Sequence, residues 1–343
     1  MTTRSLAASA PAAVPRRQLD TRPLLLLVAV IALAWPAIGS TSSWLTLSIA
    51  GLAMGLIIFI IASGLTLVFG LMDVLNFGHG VFIATGAFVA MTVMTGVPAV
   101  VAWAGAPGLM PNLGAIALAV LAAMAVAAAV GLVFERVAVR PVYGQHLKQI
   151  LITMGGAIIG EELIKVLWGP DQRPLPLPES LRGAFIFGDA AVEKYRLLAV
   201  VVGLLVFAVL VWTLNRTKIG LLIRAGVENR EMVESLGYRI RRLFVGVFVA
   251  GSALAGLGGV LWGMYQQVVT PHMGSQVNIL IFIVIIIGGL GSTLGCIVGA
   301  LLIGLMTNYV GFLAPKLTMF SSIGLMVAVL IWRPQGLYPV TSR

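Results

Sequence analysis

Apolar residues occur along this chain in long runs, separated by short connectors that are rich in polar residues, glycine and proline. A helix needs about 20 mostly apolar residues to cross a bilayer. The runs that approach or reach this length are 23–39, 44–69, 81–97, 113–134, 150–168, 197–214, 243–263, 279–290, 295–313 and 317–332. Run 279–290 is too short to cross alone, so we expect a half-helix there or a junction with its successor. The pattern predicts an all-α polytopic membrane protein with about eight to ten transmembrane helices and with broken or re-entrant segments.

Composition supports lipid as the solvent for most of the chain. Of 343 residues, 59% are hydrophobic and only 10% are charged, with a mean hydropathy of +1.05, whereas soluble domains carry about 25% charged residues. The 40 glycines agree with this, because small residues let membrane helices approach closely and mark breaks in them. A net charge of +10 would suggest nucleic acid in a soluble protein. Here the charges lie in short loops, so no nucleic-acid partner is expected.

The basic loops predict the orientation of the chain. Loops 135–149 and 215–242 and both ends of the chain carry an excess of arginine and lysine, so they are expected to face the cytoplasm. Loop 169–196 has balanced charges and is expected on the outer side. With ten spans, both termini are then cytoplasmic.

No soluble domain fits between the apolar runs. We therefore predict a disordered cytoplasmic tail over 1–22, a single transmembrane domain over 23–338 and a short tail over 339–343. The first run follows several arginines, as in a cleaved signal peptide. A retained first helix is favoured, because the later runs are hydrophobic enough to insert without it.

Three polar residues, Asp73, Asn76 and His79, lie within seven positions between two apolar runs, in the segment 64–88. Backbone at membrane depth must have its hydrogen bonds satisfied, so a break there needs protein or water around it. One interpretation is a re-entrant turn that lines a solute path, with Asn76 or His79 capping the next helix. The alternative is a satisfied cap at the cytoplasmic edge without solute contact. No metal site is expected at His79, because no second His or Cys lies at ligand spacing.

Small residues recur at a constant offset in the second half of the chain. The pairs are Gly78 with Gly291, Gly86 with Gly299, and Ala87 with Ala300. Transporter folds often contain such repeats, but three matches in a glycine-rich chain can also arise by chance.

The basic loop from Arg224 to Gly237 has the spacing of a short amphipathic helix. Met232, Val233 and Leu236 follow successive turns, and Gly237 occupies a position at which helices commonly end. Such a helix could dock a cytoplasmic partner or lie solvated at the membrane surface, and both interpretations remain open.

Run 150–168 carries the ionisable residues Glu161, Glu162 and Lys165. Such residues in a span are functional candidates by default. Glu161 and Lys165 can pair on one helix face, and we favour a structural ion pair near the outer surface. No catalytic motif is found: none of the five lysines follows a glycine, so a phosphate-binding loop is excluded. An enzymatic function is therefore not expected.

A series of short segments spreads in order over residues 44–338. The segments are Gly64-Leu-Thr-Leu-Val-Phe-Gly70, Asn76-Phe-Gly-His-Gly80, Gly86-Ala-Phe88, Glu228-Asn229 with Leu236-Gly237, Gly288-Gly-Leu-Gly-Ser292 with Gly299-Ala300, and Arg333-Pro-Gln-Gly-Leu337. Taken together, this series resembles the H-type permease of the branched-chain amino acid ABC importers. The chain departs from many members at Asn229, where they carry an acid, and at Glu161-Glu162, where apolar and amide residues are commoner.

The resemblance implies a permease of the type II ABC importer fold in a bacterial cytoplasmic (inner) membrane. It implies four kinds of partner: a second, M-type permease subunit, two cytoplasmic ATPase subunits, a periplasmic solute-binding protein and membrane lipid. ATP and Mg²⁺ would be bound by the ATPases, and no cofactor by this chain. The expected ATPase-coupling residues are Arg224, Glu228, Asn229, Glu231 and Gly237. The expected translocation path comprises Asp73, Asn76, His79, Thr85, Gly288, Gly289, Gly291 and Ser292.

A stand-alone secondary transporter or channel remains the alternative. It would use a relay of intramembrane acids, for which the chain offers Asp73, Glu161 and Glu162. The solute also stays open, since branched-chain amino acids, urea, short amides and aromatic acids are handled by similar systems.

Overall fold

The computed structural model describes residues 20–339, apart from the side chains of Phe187, Val227, Glu228 and Arg230. Most of the two predicted tails, 1–22 and 339–343, lies outside the described residues. The helices found there are α1 (Arg22–Ile38), α2 (Thr41–Met72), α3 (His79–Gly96), α4 (Pro98–Ala104), α5 (Leu109–Phe134), α6 (His146–Trp168), α7 (Lys194–Arg216), α8 (Lys218–Glu228), α9 (Arg230–Ser235), α10 (Ile240–Gln266), α11 (Met273–Gly288), α12 (Thr293–Leu313) and α13 (Thr318–Trp332). The short strands are β1 (Arg173–Pro174), β2 (Ala184–Phe187), β3 (Ala190–Glu193) and β4 (Val268–Val269). A π turn (Glu135–Val139) and a 3-10 turn (Arg140–Val142) extend α5, and further 3-10 turns are Glu179–Leu181 and Pro315–Leu317.

The helices confirm the predicted fold class. Each predicted span coincides with one helix, and seven helices of the described range are long and apolar enough to cross a membrane. Helices α1 and α11 are apolar but shorter, and α6 has 23 residues but carries the charged group at 161–165. Run 279–290 does not join its successor, because the turn after Gly288 separates α11 from α12.

Helix α2 is the centre of the bundle. Its 32 residues extend for about 48 Å, and it is buried on all sides along its middle, as expected of a helix that is apolar all round. Helices α12, α10 and α7 pack around it. Glycines permit the close approach, since Gly55 lies against the backbone of Ala300 and Gly64 against that of Gly251.

The two described ends of the chain lie side by side. Arg333 forms an ion pair with Asp20, and the Tyr338 hydroxyl donates to the Asp20 carbonyl at 2.8 Å. The Arg333 guanidinium holds the pKa of the Asp20 carboxyl below its ordinary value. Helices α1 and α13 therefore begin and end on the same face, which we call the basic end of the bundle. Its assignment to the cytoplasm stays a prediction.

At the opposite end, the predicted outer loop contributes three strands to two small antiparallel sheets. Strand β1 pairs with β4, and β2 forms a hairpin with β3. Buried Asn112 anchors this region: its amide nitrogen donates to the carbonyls of Trp103 and Ala106, each at 2.7 Å, and its oxygen accepts from the Ser180 N–H at 2.7 Å. This role of Asn112 could not be predicted from the sequence, because its three partners are backbone groups.

The basic loop folds as two helices, not as the single short helix predicted between Arg224 and Gly237. Asn229 separates α8 from α9 because its backbone is extended, and its side-chain oxygen accepts from the Met232 N–H at 2.9 Å, which caps α9. Gly237, with φ +87°, stops the second helix as predicted. The loop leaves several large apolar side chains exposed, namely Ile219, Leu221, Met232 and Leu236.

Candidate functional site

Helix α3 begins inside the bundle, not at its surface. Helix α2 ends at Met72, Asp73 adopts a left-handed backbone with φ +54°, and residues 73–78 then run back along α2. The His79 ring nitrogen Nε2 lies 3.1 Å from the carbonyl of Ile61. Ile61 precedes Met72 by eleven residues, which is about 16 Å along a helix. Residues 73–78 are therefore a re-entrant segment.

Side chains of the re-entrant segment and of neighbouring helices form hydrogen bonds with the backbone N–H and C=O groups of this segment. Asn76 Oδ1 accepts from the Gly78 N–H at 3.0 Å, Thr153 Oγ1 accepts from the Phe77 N–H at 3.1 Å, and Asn278 Nδ2 donates to the Phe77 carbonyl at 2.9 Å. Exposed backbone is not tolerated at membrane depth, which explains why these polar residues occur in apolar helices. Sequence reasoning identified Asn76 but missed Thr153 and Asn278.

Helix α11 also begins inside the bundle, from the other side. After α10 the chain turns at Gln267, with φ +56°, and residues 267–272 lead back to Met273. The first turns of α3 and α11 touch: a Cβ placed on Gly80 would lie 2.6 Å from the Gly274 carbonyl oxygen. Neither helix has a side-chain cap at its N-terminus. Two helix N-termini without side-chain caps, each with a positive partial charge, thus meet within the bundle.

A cavity of about 300 Å³ lies beside this crossing, between α3, α6 and α11. Its volume corresponds to about ten water molecules. Most of its walls are apolar, with a carboxylate, a hydroxyl and a carboxamide among them. The lining residues are Phe77, Gly80, Val81, Ala84, Met154, Ala157, Ile158, Glu161, Ile164, Pro271, Gly274, Ser275, Asn278, Ile279 and Phe282.

Glu161 connects α6 to the start of α11. Its Oε1 lies 2.7 Å from His272 Nδ1 and 3.3 Å from Lys165 Nζ, and its Oε2 accepts from Ser275 Oγ at 3.4 Å. The pair with Lys165 was expected from the sequence, whereas the contacts with His272 and Ser275 were not. Glu162 differs, because its side chain is 62% exposed and pairs with Lys165 at 2.8 Å.

The predicted path residues lie in three places, and none of them lines this cavity. Asn76, His79 and Thr85 are buried beside it, while Asp73 lies at the basic end, 3.8 Å from His146 Nε2. The remaining four form the turn between α11 and α12: Gly288 packs on Gly295, Gly289 lies against residues 335–339, Gly291 packs on Gly70, and Ser292 caps α12. Their place in a translocation path stays a prediction.

The predicted coupling residues lie together on α8 and α9. Arg224 and Glu231 are exposed, Asn229 is the cap between the helices, and Gly237 ends the second helix. Glu228 is the last residue of α8, and its side chain lies outside the described part.

Buried Glu135 was not identified from the sequence. It is 1% exposed, and its Oε1 accepts from the Tyr143 hydroxyl at 2.9 Å, whereas Oε2 has no hydrogen-bond partner within residues 20–339. A glutamate next to an arginine in a basic loop is usually exposed, but Glu135 lies in the π turn at 135–139 and is buried.

The known proteins to which this chain is similar are permease components of branched-chain amino acid transport systems. The family model described as the permease component of branched-chain amino acid transport systems matches residues 47–330. The high-affinity branched-chain amino acid transport system permease protein BraD of Pseudomonas aeruginosa is 30% identical over 298 residues, covering 84% of this chain and 93% of that protein. The corresponding LivH protein of Escherichia coli K12 is 26% identical, covering 84% and 92%. LivM of the same organism is 28% identical, covering 91% of this chain but 73% of LivM. No solved structure matches.

Proposed function

Because the chain belongs to the family of branched-chain amino acid transport permease components, we propose that it is the translocating subunit of an ATP-driven importer for branched-chain amino acids or a related small polar solute. The family match over 47–330 carries this proposal. The chain is a LivH-like, multi-pass membrane protein and a non-catalytic transport subunit, as its family is. Its location in the bacterial cytoplasmic membrane, with both termini inside, is part of the proposal.

The two-helix loop at the basic end supports a separate ATPase partner. Met232 and Leu236 on and after α9 are 60% and 66% exposed, in a loop whose basic character predicts that it faces the cytoplasm. Large apolar side chains on a water-facing surface indicate a protein contact. We expect ATPase subunits, with ATP and Mg²⁺ bound to them, to cover α8 and α9.

This loop is connected directly to the re-entrant segments. Helix α9 leads into α10, which packs on α2, α3 and α5 and then continues into residues 267–272 and α11. A displacement of the loop would therefore act on both helices that begin at the crossing. ATP can drive the change only by binding the two states of the importer with different affinities.

A second permease subunit and a periplasmic binding protein complete the proposed importer. The chain is similar to both LivH and LivM, which are permease proteins of the same organism. We expect an M-type permease as the partner across the path. The hairpin β2–β3, at the end opposite the basic one, would face the binding protein.

The acids needed by a stand-alone transporter are not arranged as a relay. Asp73 lies beside His146 at the start of α6, whereas Glu161 is fifteen residues further along that helix, about 22 Å away. Glu162 is exposed and paired with Lys165. The positions of these acids within residues 20–339 therefore do not favour this alternative over the importer.

The proposal is tested by co-purification with ATPase subunits. The tagged chain is expressed with the candidate ATPases, the M-type permease and the binding protein, and the purified complex is assayed for ATP hydrolysis and leucine uptake. Leu236→Asp should release the ATPases, because it puts a charge in the expected interface. The matched control is Ile186→Asp, which alters a 77% exposed side chain on the hairpin at the other end and should leave the ATPases bound. It is scored for ATPase retention only, because the hairpin is the expected contact of the binding protein. Leucine uptake by the chain alone, without any bound ATPase, would refute the proposal.

A further inference from the structure

We propose that the cavity between α3, α6 and α11 binds the ammonium group of an amino acid during its passage, with Glu161 as the principal acceptor. This inference rests on the proposed function and adds to it a binding site for the transported solute. It implies that the permease chain itself distinguishes amino acids from solutes without an ammonium group.

The position of the cavity suits a solute in transit. Both α3 and α11 begin at its edge, and Glu161 lies about 22 Å along α6 from the basic end. The helix continues for seven residues beyond Glu161 to Trp168, about 10 Å further. Glu161 therefore lies in the half of the helix away from the basic end, and the cavity meets the broken helices, which in transporters supply polar backbone groups to solute sites within the membrane.

Three oxygen acceptors converge on this cavity from two helices. Ser275 and Asn278 are three residues apart on α11 and share a face, and Ser275 Oγ lies 3.4 Å from Glu161 Oε2. Asn278 is nine-tenths buried, and its Oδ1 has no hydrogen-bond partner among the described residues. An unpaired buried acceptor is costly unless a donor reaches it. An ammonium group offers three N–H donors, and these three side chains provide matching acceptors.

The carboxylate and the side chain of an aliphatic amino acid would also have suitable contacts in this cavity. A carboxylate is favoured at a helix N-terminus, and the uncapped first turn of α3 at Gly80 borders the cavity. Ile158, Ile279 and Phe282 supply apolar walls. His272, which pairs with Glu161, has a side chain that is 56% exposed, so it can leave the carboxylate when an ammonium group takes its place.

The first test measures uptake by the complete importer. Glu161→Gln should raise the KM for leucine about tenfold or more, because a hydrogen bond to a charged group is lost. Glu161→Asp, which keeps the charge, should restore part of the affinity. Glu162→Gln changes the adjacent exposed acid and should leave the KM unchanged. His272→Gln breaks the same interhelical pair but leaves the cavity acid, so equal defects in the His272 and Glu161 variants would overturn the proposal in favour of a structural pair.

The second test does not depend on transport. Ala157 lines the cavity, and the natural thiol, Cys296, is buried, so Ala157→Cys supplies a reporter for alkylation by N-ethylmaleimide. The complex is labelled in lipid nanodiscs without binding protein, in the presence of leucine or of the 2-oxo acid that shares its carboxylate and side chain. Leucine should slow labelling and the oxo acid should not, and Glu161→Gln should abolish the difference.

The outcomes separate the two proposals. Equal protection by both solutes, or protection that survives in Glu161→Gln, would overturn the ammonium site. A parent complex that imports leucine without any protection of residue 157 would also overturn it, while the proposed function would stand. A parent that binds no ATPase and imports no leucine would refute the proposed function, and labelling would still decide whether the cavity recognises an ammonium group.

Discussion

The contact between the first turns of α3 and α11 predicts a strong effect of a single added methyl group. In Gly80→Ala the new Cβ would lie 2.6 Å from the carbonyl oxygen of Gly274 and 2.7 Å from its carbonyl carbon. Ordinary contact begins at 3.4 Å, so the helices must separate by about 0.8 Å locally. Both opposing atoms are backbone, so no side chain can rotate away. Overpacking of this kind costs about 1–3 kcal/mol, while alanine regains at most about 1 kcal/mol of helix propensity.

We therefore expect Gly80→Ala to lower the free energy of unfolding by about 1–2 kcal/mol. The measurement is equilibrium unfolding of the purified chain in detergent, followed by tryptophan fluorescence. Gly246→Ala is the matched control, because this glycine lies in α10 with nothing within 4 Å of its added Cβ, and it should be neutral or slightly stabilising. Equal stability of both variants would refute the close approach of the two helix ends, and with it the re-entrant geometry that depends on this contact.

Three further predictions concern polar contacts outside the cavity. Asn112→Ala removes three hydrogen bonds and should destabilise the chain by about 2–4 kcal/mol in the same unfolding assay, whereas an unaffected chain would contradict the anchoring role. Tyr143→Phe leaves buried Glu135 without the hydroxyl donor of Oε1 and should cost about 1–3 kcal/mol. Tyr143→Phe combined with Glu135→Gln should cost less, and an equal loss would contradict the role of this hydrogen bond. Arg333 lowers the pKa of Asp20, so this pair stabilises the fold at pH values above 3.8, the ordinary pKa of an aspartate, and the stabilisation is lost as the pH falls through the lowered pKa. Asp20→Asn should therefore flatten the dependence of the melting temperature on pH in this range. An unchanged dependence would contradict the pairing.

Much of the fold could be predicted, because it depends on the lengths and the spacing of the apolar runs along the chain. Each apolar run became a helix, and the run at 279–290 was recognised as too short to cross alone. The start of α11 at Met273 was missed, since Gly274, Ser275 and Asn278 interrupt the apolar pattern there. The two-helix loop was missed for a local reason: Asn229 can cap a helix as well as continue one, and only the structure shows its bond to the Met232 N–H.

The site was predicted less completely because its parts are distant in sequence. The segment around Asn76 was identified from its glycines, but the groups that satisfy it, Thr153 and Asn278, are contributed by two other helices. Glu161 was identified as an intramembrane acid, but its partner was sought only on its own helix. No spacing rule indicates that His272, more than a hundred residues away, would lie 2.7 Å from its carboxylate.

Helix α6 shows how one spacing serves both the re-entrant segment and the cavity. Gln149, Thr153, Ala157 and Glu161 follow each other at intervals of four, so each lies next to the following one, in a row that winds gradually around the helix. Thr153 holds the backbone of Phe77, and further along the same row Ala157 and Glu161 border the cavity. An apolar helix surface against lipid would need none of these polar groups. Their alignment therefore indicates a helix face turned toward the interior, and it makes α6 the wall that joins the buried backbone break to the proposed ammonium site.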